Sequence, residues 1–353
     1  DEPSLAGLMM SGKFNDLMET GSKWCVENGY GWNEDLERTE DYGCLNGADH
    51  TKVSQKARSR GINQVGTLGS GNHYLEVQIL HAENIFDKVT AKKMGIADPD
   101  QVLITVHCGS WGFGHQIATD YMKQFDNKMK EYGISIPDRE LSCAPIQSKE
   151  GQDYYSAMKC SGNMAYANRQ VILHQIREGF KKVFKQDPEK MGMHLIYDCT
   201  HNIAREHKIN VDGKKKKVLV HLKGATTSVG VGYERLTKLY KNIGSPIIIG
   251  GSMETGSYLF KGTKKAEEET FGTTIHGAGR TMSRTKAKNL IRGENLQRDM
   301  EKRGIYVKGA SMSGLAEEAG FAYKPLEKVA ESVEKAGISE KIILLRPIAN
   351  VKG

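Results

Sequence analysis

The chain contains 353 residues, with 50 lysines and arginines against 43 aspartates and glutamates, for a formal net charge of +7. This length can bury a sizeable core and would accommodate about two average domains. No apolar run approaches the ~20 residues that cross a bilayer, and no signal peptide is recognisable, so we predict neither a membrane protein nor a secreted one. The six cysteines form no CxxC pair, which favours reduced thiols in a cytosolic protein. The chain begins at Asp1 without a methionine, so we expect it to be part of something longer.

Helical and strand patterns alternate along the chain. Apolar residues at helical spacing predict one helix over residues 13–28, which Gly29 ends. No internal repeat or linker divides the later segments, so we predict a single α/β (mixed α+β) domain over residues 1–353, with a mixed sheet core surrounded by helices. The remaining predicted helices are at 53–60, from the turn 108–115 to about 132, 151–184, 280–292, 294–302 and 326–336, and the predicted strands are at 74–80, 101–106, 194–198, 208–211, 217–220, 246–249, 305–307 and 341–345.

One histidine stands in an unusual run of small residues. The segment 273–280 reads Thr-Thr-Ile-His-Gly-Ala-Gly-Arg, and it opens the helix predicted at 280–292. Small neighbours let a ligand approach the backbone, and a helix start suits phosphate. A neutral imidazole can attack phosphorus, which makes His276 a candidate nucleophile. Taken alone, however, the motif is more typical of a structural histidine at a tight turn.

Other histidines lie beside glycine-rich or polar turns at predicted strand ends. His73 lies in the loop 66–76, where strand alternation would put Tyr74 and Glu76 on one face and His73 on the other. His107 and His201 each follow a predicted strand, a common position for ligand groups in α/β proteins. Together with His276 they predict a site for a borderline metal such as Mn²⁺ or Zn²⁺. His221 is a weaker fifth candidate, and the small-residue loop 250–257 could hold a nucleotide.

These motifs resemble the RtcB RNA-splicing ligases. The resemblance runs from about Met18 to Gly353 and rests on segments 66–76, 107–121, 197–202, 221–226, 251–257, 273–284 and the terminal 345–353. It implies the family's own α/β fold and a GTP- and Mn²⁺-dependent enzyme that joins an RNA 2′,3′-cyclic phosphate or 3′-phosphate end to a 5′-hydroxyl end. It further implies RNA, such as tRNA halves, as the substrate. An archease-like activating protein or RNA-ligase complex subunits are candidate partners, no membrane is involved, and the location is the cytoplasm, or the nucleus in a eukaryote.

The resemblance also assigns roles to single residues. It implies that His276 takes GMP from GTP as a phosphoramidate, that Arg280 binds RNA, and that His73, His107 and His201 bind metal. The positions that match guanylate-binding residues are Asn72, Glu76, Asn202, Gly251, Ser252, Met253, Ser257, Ala278, Gly279, Tyr323 and Lys352.

Several positions depart from the family pattern. An upstream Asp-x-x-Cys segment that completes the metal site in the family is absent from this sequence. Trp111, Leu222 and Thr227 replace arginines, and Glu254 replaces a glycine. The sequence therefore loses three cations and gains one anion relative to the family pattern. These changes affect the positions that bind RNA in the family more than those that bind the nucleotide.

Three functions therefore remain as hypotheses. The first is an RNA ligase completed by an upstream segment. The second is a diverged non-ligating subunit of an RNA-processing complex that binds guanine nucleotide. The third, reached from the histidines alone, is a metal-dependent phosphohydrolase, although no Asp-rich metal motif supports it. Guanylylation separates the ligase from the phosphohydrolase, and RNA joining separates it from the diverged relative.

Overall fold

The structure is a computed structural model that describes residues 11–96 and 98–353. Its helices are α1 Ser11–Thr20, α2 Ser22–Glu27, α3 Asn33–Glu37, α4 Gln55–Gly61, α5 Lys88–Lys93, α6 Trp111–Lys128, α7 Lys149–Phe184, α8 Lys264–Glu269, α9 Arg284–Leu290, α10 Gly293–Lys302, α11 Met312–Glu317 and α12 Leu326–Ala336. Its strands are β1 Tyr74–Ile85, β2 Val102–His107, β3 Asn202–Val211, β4 Lys214–Lys223, β5 Ala225–Thr227, β6 Pro246–Gly250, β7 Ser257–Gly262, β8 Thr273–Ile275, β9 Tyr306–Gly309 and β10 Ser339–Lys352.

The main sheet has six strands and is mixed. Its order is β2-β1-β10-β7-β6, with antiparallel neighbours, while β9 pairs with β10 in parallel. The long strand β10 is therefore its centre, because β1, β7 and β9 all pair with it. Two further two-stranded sheets are formed by β3–β4 and β5–β8. This arrangement confirms the predicted α/β (mixed α+β) class and the mixed sheet.

The chain divides into two compact units. The described part of the first unit, 11–67 and 108–195, is built from α1–α4, α6 and α7 around an apolar cluster that includes Phe14, Trp24 and Phe113. A buried ion pair lies in this unit, where the Arg177 guanidinium donates to both carboxylate oxygens of Asp35 at 2.7 and 2.9 Å. The prediction of one domain over the whole chain stays a prediction.

The second unit, Leu68–His107 and Ile196–Gly353, holds the ten strands that the described residues form. Its largest apolar cluster includes Leu80, Tyr240 and Ile343, and a second packs α12 against the sheet through Leu326 and Phe260. Every histidine named above and every residue predicted to bind the nucleotide lies in this unit. Among residues 11–96 and 98–353, no helix combines the length and apolar composition that crossing a membrane requires.

Three predicted elements are wrong in detail. The helix expected over 13–28 is two helices, because Gly21 has a φ of 60° and a Cβ there would lie 2.2 Å from the Gly43 carbonyl oxygen. Residues 194–198 are not a strand, and the Ile196 carbonyl instead accepts from the Tyr240 hydroxyl. The helix expected from residue 280 begins at Arg284, because Ser283 caps it by accepting from the Lys286 amide at 3.2 Å.

Candidate active site

One face of the main sheet carries the first group of site residues. Strand register pairs Tyr74 with His107 and Glu76 with Thr105 across β1 and β2, and Glu76 with Asn350 across β1 and β10. Cross-strand partners share a face, and so do residues two apart along a strand. Tyr74, Glu76 and His107 therefore point to the same side, as predicted for the first two. His73 precedes β1, so the alternation rule does not govern it, and its ring lies 5.6 Å from the His107 ring.

Three of the predicted histidines meet at the end of this face. His107, His201 and His276 present ring nitrogens that all lie within 4.8 Å of one another. The Nε2 atoms of His107 and His201 are 3.2 Å apart, and the rings of His201 and His276 stack with centroids 4.4 Å apart. His221, the weaker fifth candidate, lies exposed in β4 opposite Ala204 and is not one of these three.

Backbone hydrogen bonds before and after His276 hold it in place. Before it, β8 pairs with β5, which places Ile275 opposite Ala225. After it, the Gly250 amide donates to the His276 carbonyl at 3.2 Å, and the Ala278 amide donates to the Gly250 carbonyl at 2.8 Å. The histidine is therefore fixed by strand pairing on both sides. The sequence predicted that a helix start beside His276 would bind phosphate. No helix begins beside His276, because α9 starts eight residues later.

The His276 side chain is oriented by a residue that the sequence patterns did not single out. Its Nδ1 lies 2.7 Å from the Gly224 carbonyl oxygen. Because a carbonyl only accepts, Nδ1 must carry the proton and Nε2 keeps the lone pair. Gly224 has a φ of +63°, and a Cβ there would lie 3.2 Å from His276 Cε1. Asn202 Oδ1 in turn accepts from the Gly224 amide at 2.9 Å, so Asn202 supports His276 through Gly224.

Burial favours the neutral form of His107 and of His276. It holds the pKa of His107 well below its usual range, and the charges of His201, His73, His276 and Lys352 lower it further. Burial also lowers the pKa of His276, with the Gly224 hydrogen bond opposing it. Neutral rings are the form in which histidine binds metals and attacks electrophiles.

The histidine cluster fits a divalent cation. Two nitrogens that bind one ion at about 2.1 Å, at angles from octahedral to tetrahedral, lie about 3.0–3.4 Å apart. The observed 3.2 Å between His107 and His201 matches that separation. An all-imidazole donor set suits borderline metals, among them Mn²⁺ and Zn²⁺, and does not choose between them.

A buried carboxylate and a buried ammonium lie on the same sheet. Glu76 is 3% exposed and accepts from the Gln78 amide, and Lys352 is 7% exposed with its Nζ 3.4 Å from the Gly71 carbonyl oxygen. Burial raises the pKa of Glu76 to about 8, against opposing effects of Gln78 and Lys352. Burial also lowers the pKa of Lys352 to about 8, against opposing effects of Glu318 and Glu76. Such shifted groups are typical of functional sites.

Arg280 and Tyr323 belong to a second charged group, centred on a residue that the sequence did not point to. Glu318 is 2% exposed and accepts from Arg284 Nε at 2.9 Å and from the Tyr323 hydroxyl. Arg280 lies 3.4 Å from the same carboxylate and 4.9 Å above the Tyr323 ring. Lys352 also acts on it, because its charge helps to lower the pKa of Glu318. Glu318 therefore fixes both an arginine and a tyrosine that the family resemblance assigns to ligands.

The small-residue loop after β6 is tightly folded on itself. The Gly251 amide donates to the Gly256 carbonyl at 2.9 Å, and the Ser252 amide donates to Thr255 Oγ1 at 2.8 Å. Met253 is buried in an apolar cluster, and Ser257 accepts from Gln78 at 3.2 Å. Of the remaining nucleotide candidates, Ala278 is buried and Gly279 accepts from the Lys324 amide at 3.0 Å, while Asn72 lies in the loop before β1.

The structure gives local reasons for the departures from the family pattern. Glu254 accepts from Arg303 at 2.5 Å and from the Gly320 amide at 2.7 Å, so its charge is neutralised within its own surroundings. Leu222 is 5% exposed and packs as an apolar residue. Thr227 pairs with Thr273 across β5 and β8. In the first unit, Trp111 has a φ of 50° and donates its indole N–H to the Thr67 carbonyl at 3.2 Å.

Comparison with known proteins identifies relatives over nearly the whole chain. The family model described as tRNA-splicing ligase RtcB matches residues 4–353. The tRNA-splicing ligase RtcB of Pyrococcus abyssi is 49% identical over 341 residues, which cover 97% of this chain and 37% of the relative. The protein of the same name from Archaeoglobus fulgidus is 48% identical over 341 residues, covering 97% of this chain and 70% of the relative.

The chain therefore spans little more than a third of the first relative and about two thirds of the second. The matched region includes all the histidines described above and the terminal strand β10. The match covers far more than half of the chain, and it agrees with the motifs and the mixed fold. The chain belongs to the tRNA-splicing ligase RtcB family.

Proposed function

We propose that this chain carries the catalytic site of a GTP- and Mn²⁺-dependent RNA ligase, with His276 as its nucleophile. The observation that carries the proposal is the hydrogen bond from His276 Nδ1 to the Gly224 carbonyl, beside two further histidines. It leaves the Nε2 lone pair available for attack. Family membership supports RNA joining as the overall reaction, because the relatives carry the name tRNA-splicing ligase.

In the first step, the Nε2 lone pair of His276 attacks the α-phosphorus of GTP. A P–N bond forms, the bond from the α-phosphorus to the bridging oxygen breaks, and pyrophosphate leaves with the electron pair. Gly224 keeps the proton on Nδ1 during this step and so favours the correct tautomer. A bound Mn²⁺, held by His107 and His201 with His73 close by, would neutralise phosphate oxygens as a Lewis acid.

In the second step, an oxygen of the RNA 3′-phosphate attacks the phosphorus of the guanylylated histidine. The P–N bond breaks, and His276 regains its lone pair. A 2′,3′-cyclic phosphate end must first be opened by water to a 3′-phosphate. The 5′-hydroxyl oxygen of the second RNA then attacks the activated 3′-phosphorus and loses its proton, while GMP leaves. Positioning of the two ends contributes much of the rate in reactions of this kind.

The nucleotide is held, in this proposal, by the residues on the sheet face and the neighbouring loops. Glu76 offers buried carboxylate oxygens that can accept from a guanine base, because its burial favours a partner with N–H groups. Tyr323 offers a ring held by Glu318 and Arg280 on which a base can stack. Asn72 and Lys352 complete the proposed pocket, with the loop from Gly251 to Ser257 beside it.

The partners and location follow from the same proposal. The substrates are RNA ends with a 3′-phosphate and a 5′-hydroxyl, such as tRNA halves or broken RNA. An archease-like activating protein or subunits of an RNA-ligase complex would assist turnover. The reaction would take place in the cytoplasm, or in the nucleus of a eukaryote.

RNA joining in the full-length protein tests the proposal. The protein is incubated with GTP, Mn²⁺ and two RNAs, one ending in a 3′-phosphate and the other beginning with a 5′-hydroxyl. We expect a joined product whose formation requires GTP, and none from a His276→Ala variant. Guanylylation without joining would favour the alternative of a diverged guanine-nucleotide-binding subunit. Release of phosphate without either would favour a phosphohydrolase and overturn the proposal.

A further inference from the structure

A long two-stranded hairpin begins at the candidate active site. Strand β3 starts at Asn202, directly after His201, and β4 ends at Lys223, directly before Gly224. Asn202 pairs with Lys223 at the root, and the chain turns at Asp212 and Gly213, which have φ values of 52° and 76°. Both strands contain ten residues, which corresponds to a reach of about 30 Å at about 3.3 Å per residue.

The two faces of this hairpin have different surroundings. One face is packed within the second unit, because Ile203, Arg205, His207 and Leu222 are all buried. Helix α8 contacts β3. The other face is open to solvent, since Glu206, Lys208 and Lys217 are each at least half exposed. Because side chains alternate, the register alone decides which residues belong to the open face.

The open face carries a line of cations from the root to the tip. Lys223 lies at the root, Lys217 lies opposite Lys208, and Lys215 lies opposite Asn210, with His221 and Leu219 on the same face between Lys223 and Lys217. Successive positions on one face of a strand are about 6.8 Å apart. Like charges directly opposite each other, such as Lys208 and Lys217, destabilise a sheet. An anion lying along this face would relieve that repulsion.

Two acidic neighbours contact lysines of this face. Lys217 contacts Glu206 at 2.7 Å, and Lys208 contacts Glu234 at 3.2 Å. Both pairs are largely exposed to solvent, where such ion pairs contribute little stability and exchange readily for other partners. Lys215 and Lys223 add two further exposed cations at the tip and root.

We propose that the open face of the β3–β4 hairpin is a track for the phosphates of single-stranded RNA, which guides the strand toward His201 and His276. The inference rests on the proposed function, since it identifies RNA as the polyanion. Charge complementarity supports it, and so does the continuity of the hairpin with the site. Basic side chains along a strand contact phosphates without reading sequence.

The lysines of the tip provide a matched test, because they alternate between the two faces. Lys215 and Lys217 belong to the open face, whereas Lys214 and Lys216 belong to the opposite one, and all four are exposed. We compare K215Q/K217Q with K214Q/K216Q in the full-length protein. The probe is a 3′-phosphorylated single-stranded RNA longer than the ~4–16 nucleotides of typical single-strand sites, without GTP. Thermal unfolding of each variant verifies that the fold is retained.

We expect K215Q/K217Q to lower the slope of log affinity against log salt by about 1.4, since each single-strand phosphate contact contributes about 0.7. K214Q/K216Q should leave the slope close to the wild-type value. An equal decrease of the slope in both variants would mean that RNA binding depends on net charge and not on which face carries the lysines. That result would overturn the proposal. Unchanged slopes in both variants would overturn it as well.

GMP transfer to the protein without RNA is measured on the same samples. Both lysine variants should be guanylylated at the wild-type rate, because the hairpin tip lies away from His276 along the strands. If neither the variants nor the wild type take up GMP while the slopes differ as expected, the proposed ligase function fails and the RNA track stands. If GMP uptake is normal and the slopes do not differ, the ligase function stands and the track fails.

Discussion

Replacing Gly224 by alanine should slow guanylylation of His276 without unfolding the protein. Gly224 has a φ of +63°, and an added Cβ would lie 3.2 Å from Cε1 and 3.4 Å from Nδ1 of His276. Carbon atoms prefer separations of about 3.5–4.0 Å, so the imidazole must move by several tenths of an ångström. That movement lengthens the hydrogen bond from Nδ1 to the Gly224 carbonyl, which is 2.7 Å here.

The size of the effect has two parts. A left-handed conformation costs an L-residue about 1–2 kcal/mol, and replacing glycine by alanine returns about 0.4–1 kcal/mol through the unfolded chain. The net loss of unfolding free energy is therefore about 1 kcal/mol, which the fold should survive. A misplacement of about 1 Å can cost about 100-fold in rate, so a shift of about half that distance predicts a loss of roughly tenfold.

Gly304→Ala is the matched control. Gly304 has a φ of +79°, and nothing lies within 4 Å of a Cβ added there. It therefore imposes the same backbone cost without touching His276. Initial rates of GMP incorporation, followed by intact mass, and urea unfolding are measured for both variants. Equal guanylylation rates in the two variants would refute the argument that Gly224 positions the imidazole.

Three further variants test other parts of the structure by urea unfolding. Glu318→Gln should lower the free energy of unfolding by about 1–3 kcal/mol, because it weakens charge-assisted hydrogen bonds to a buried carboxylate. The partners of Glu318 hold its pKa below the usual value. The difference in stability between variant and wild type should therefore shrink as the pH falls through that lowered pKa. Leu222→Arg should lower the free energy of unfolding by about 3 kcal/mol, because it buries a charge. Leu219→Arg, on the open face of the same strand, should change it by less than about 1 kcal/mol. Asp35→Ala should cost about 3–5 kcal/mol, because it leaves the buried Arg177 guanidinium without its carboxylate.

The sequence predicted correctly those features that depend on residues close together in the chain. Alternation predicted that Tyr74 and Glu76 share a face, and the β1 and β2 register agrees. The strands predicted at 208–211 and 217–220 lie within β3 and β4, which turn at Asp212 and Gly213, an Asp-Gly pair with the positive φ values that a two-residue hairpin requires. The grouping of His107, His201 and His276 could be suspected because each lies next to glycine or polar turns.

Residues that act through contacts distant in sequence were not found. Gly224 is 52 residues from the histidine it orients, and nothing in its own segment indicates that contact. Glu318 is 34 residues from Arg284, and as one of two adjacent glutamates between alanines it predicts only a solvated helix face. The helix predicted from Arg280 begins only at Arg284, because Arg280 instead forms an antiparallel bridge with Tyr323. Propensity is a weak guide when tertiary pairing competes with it.

The most direct test of the account is the location of GMP on the protein after incubation with GTP and Mn²⁺. We predict one GMP per chain, mapped to His276 by peptide mass spectrometry, with a P–N bond that is labile in acid and stable in alkali. His276→Ala should abolish the modification while the protein remains folded. An acid-stable adduct on Ser283 or Thr274, or no adduct with metal and nucleotide present, would contradict the assignment of His276 as the nucleophile.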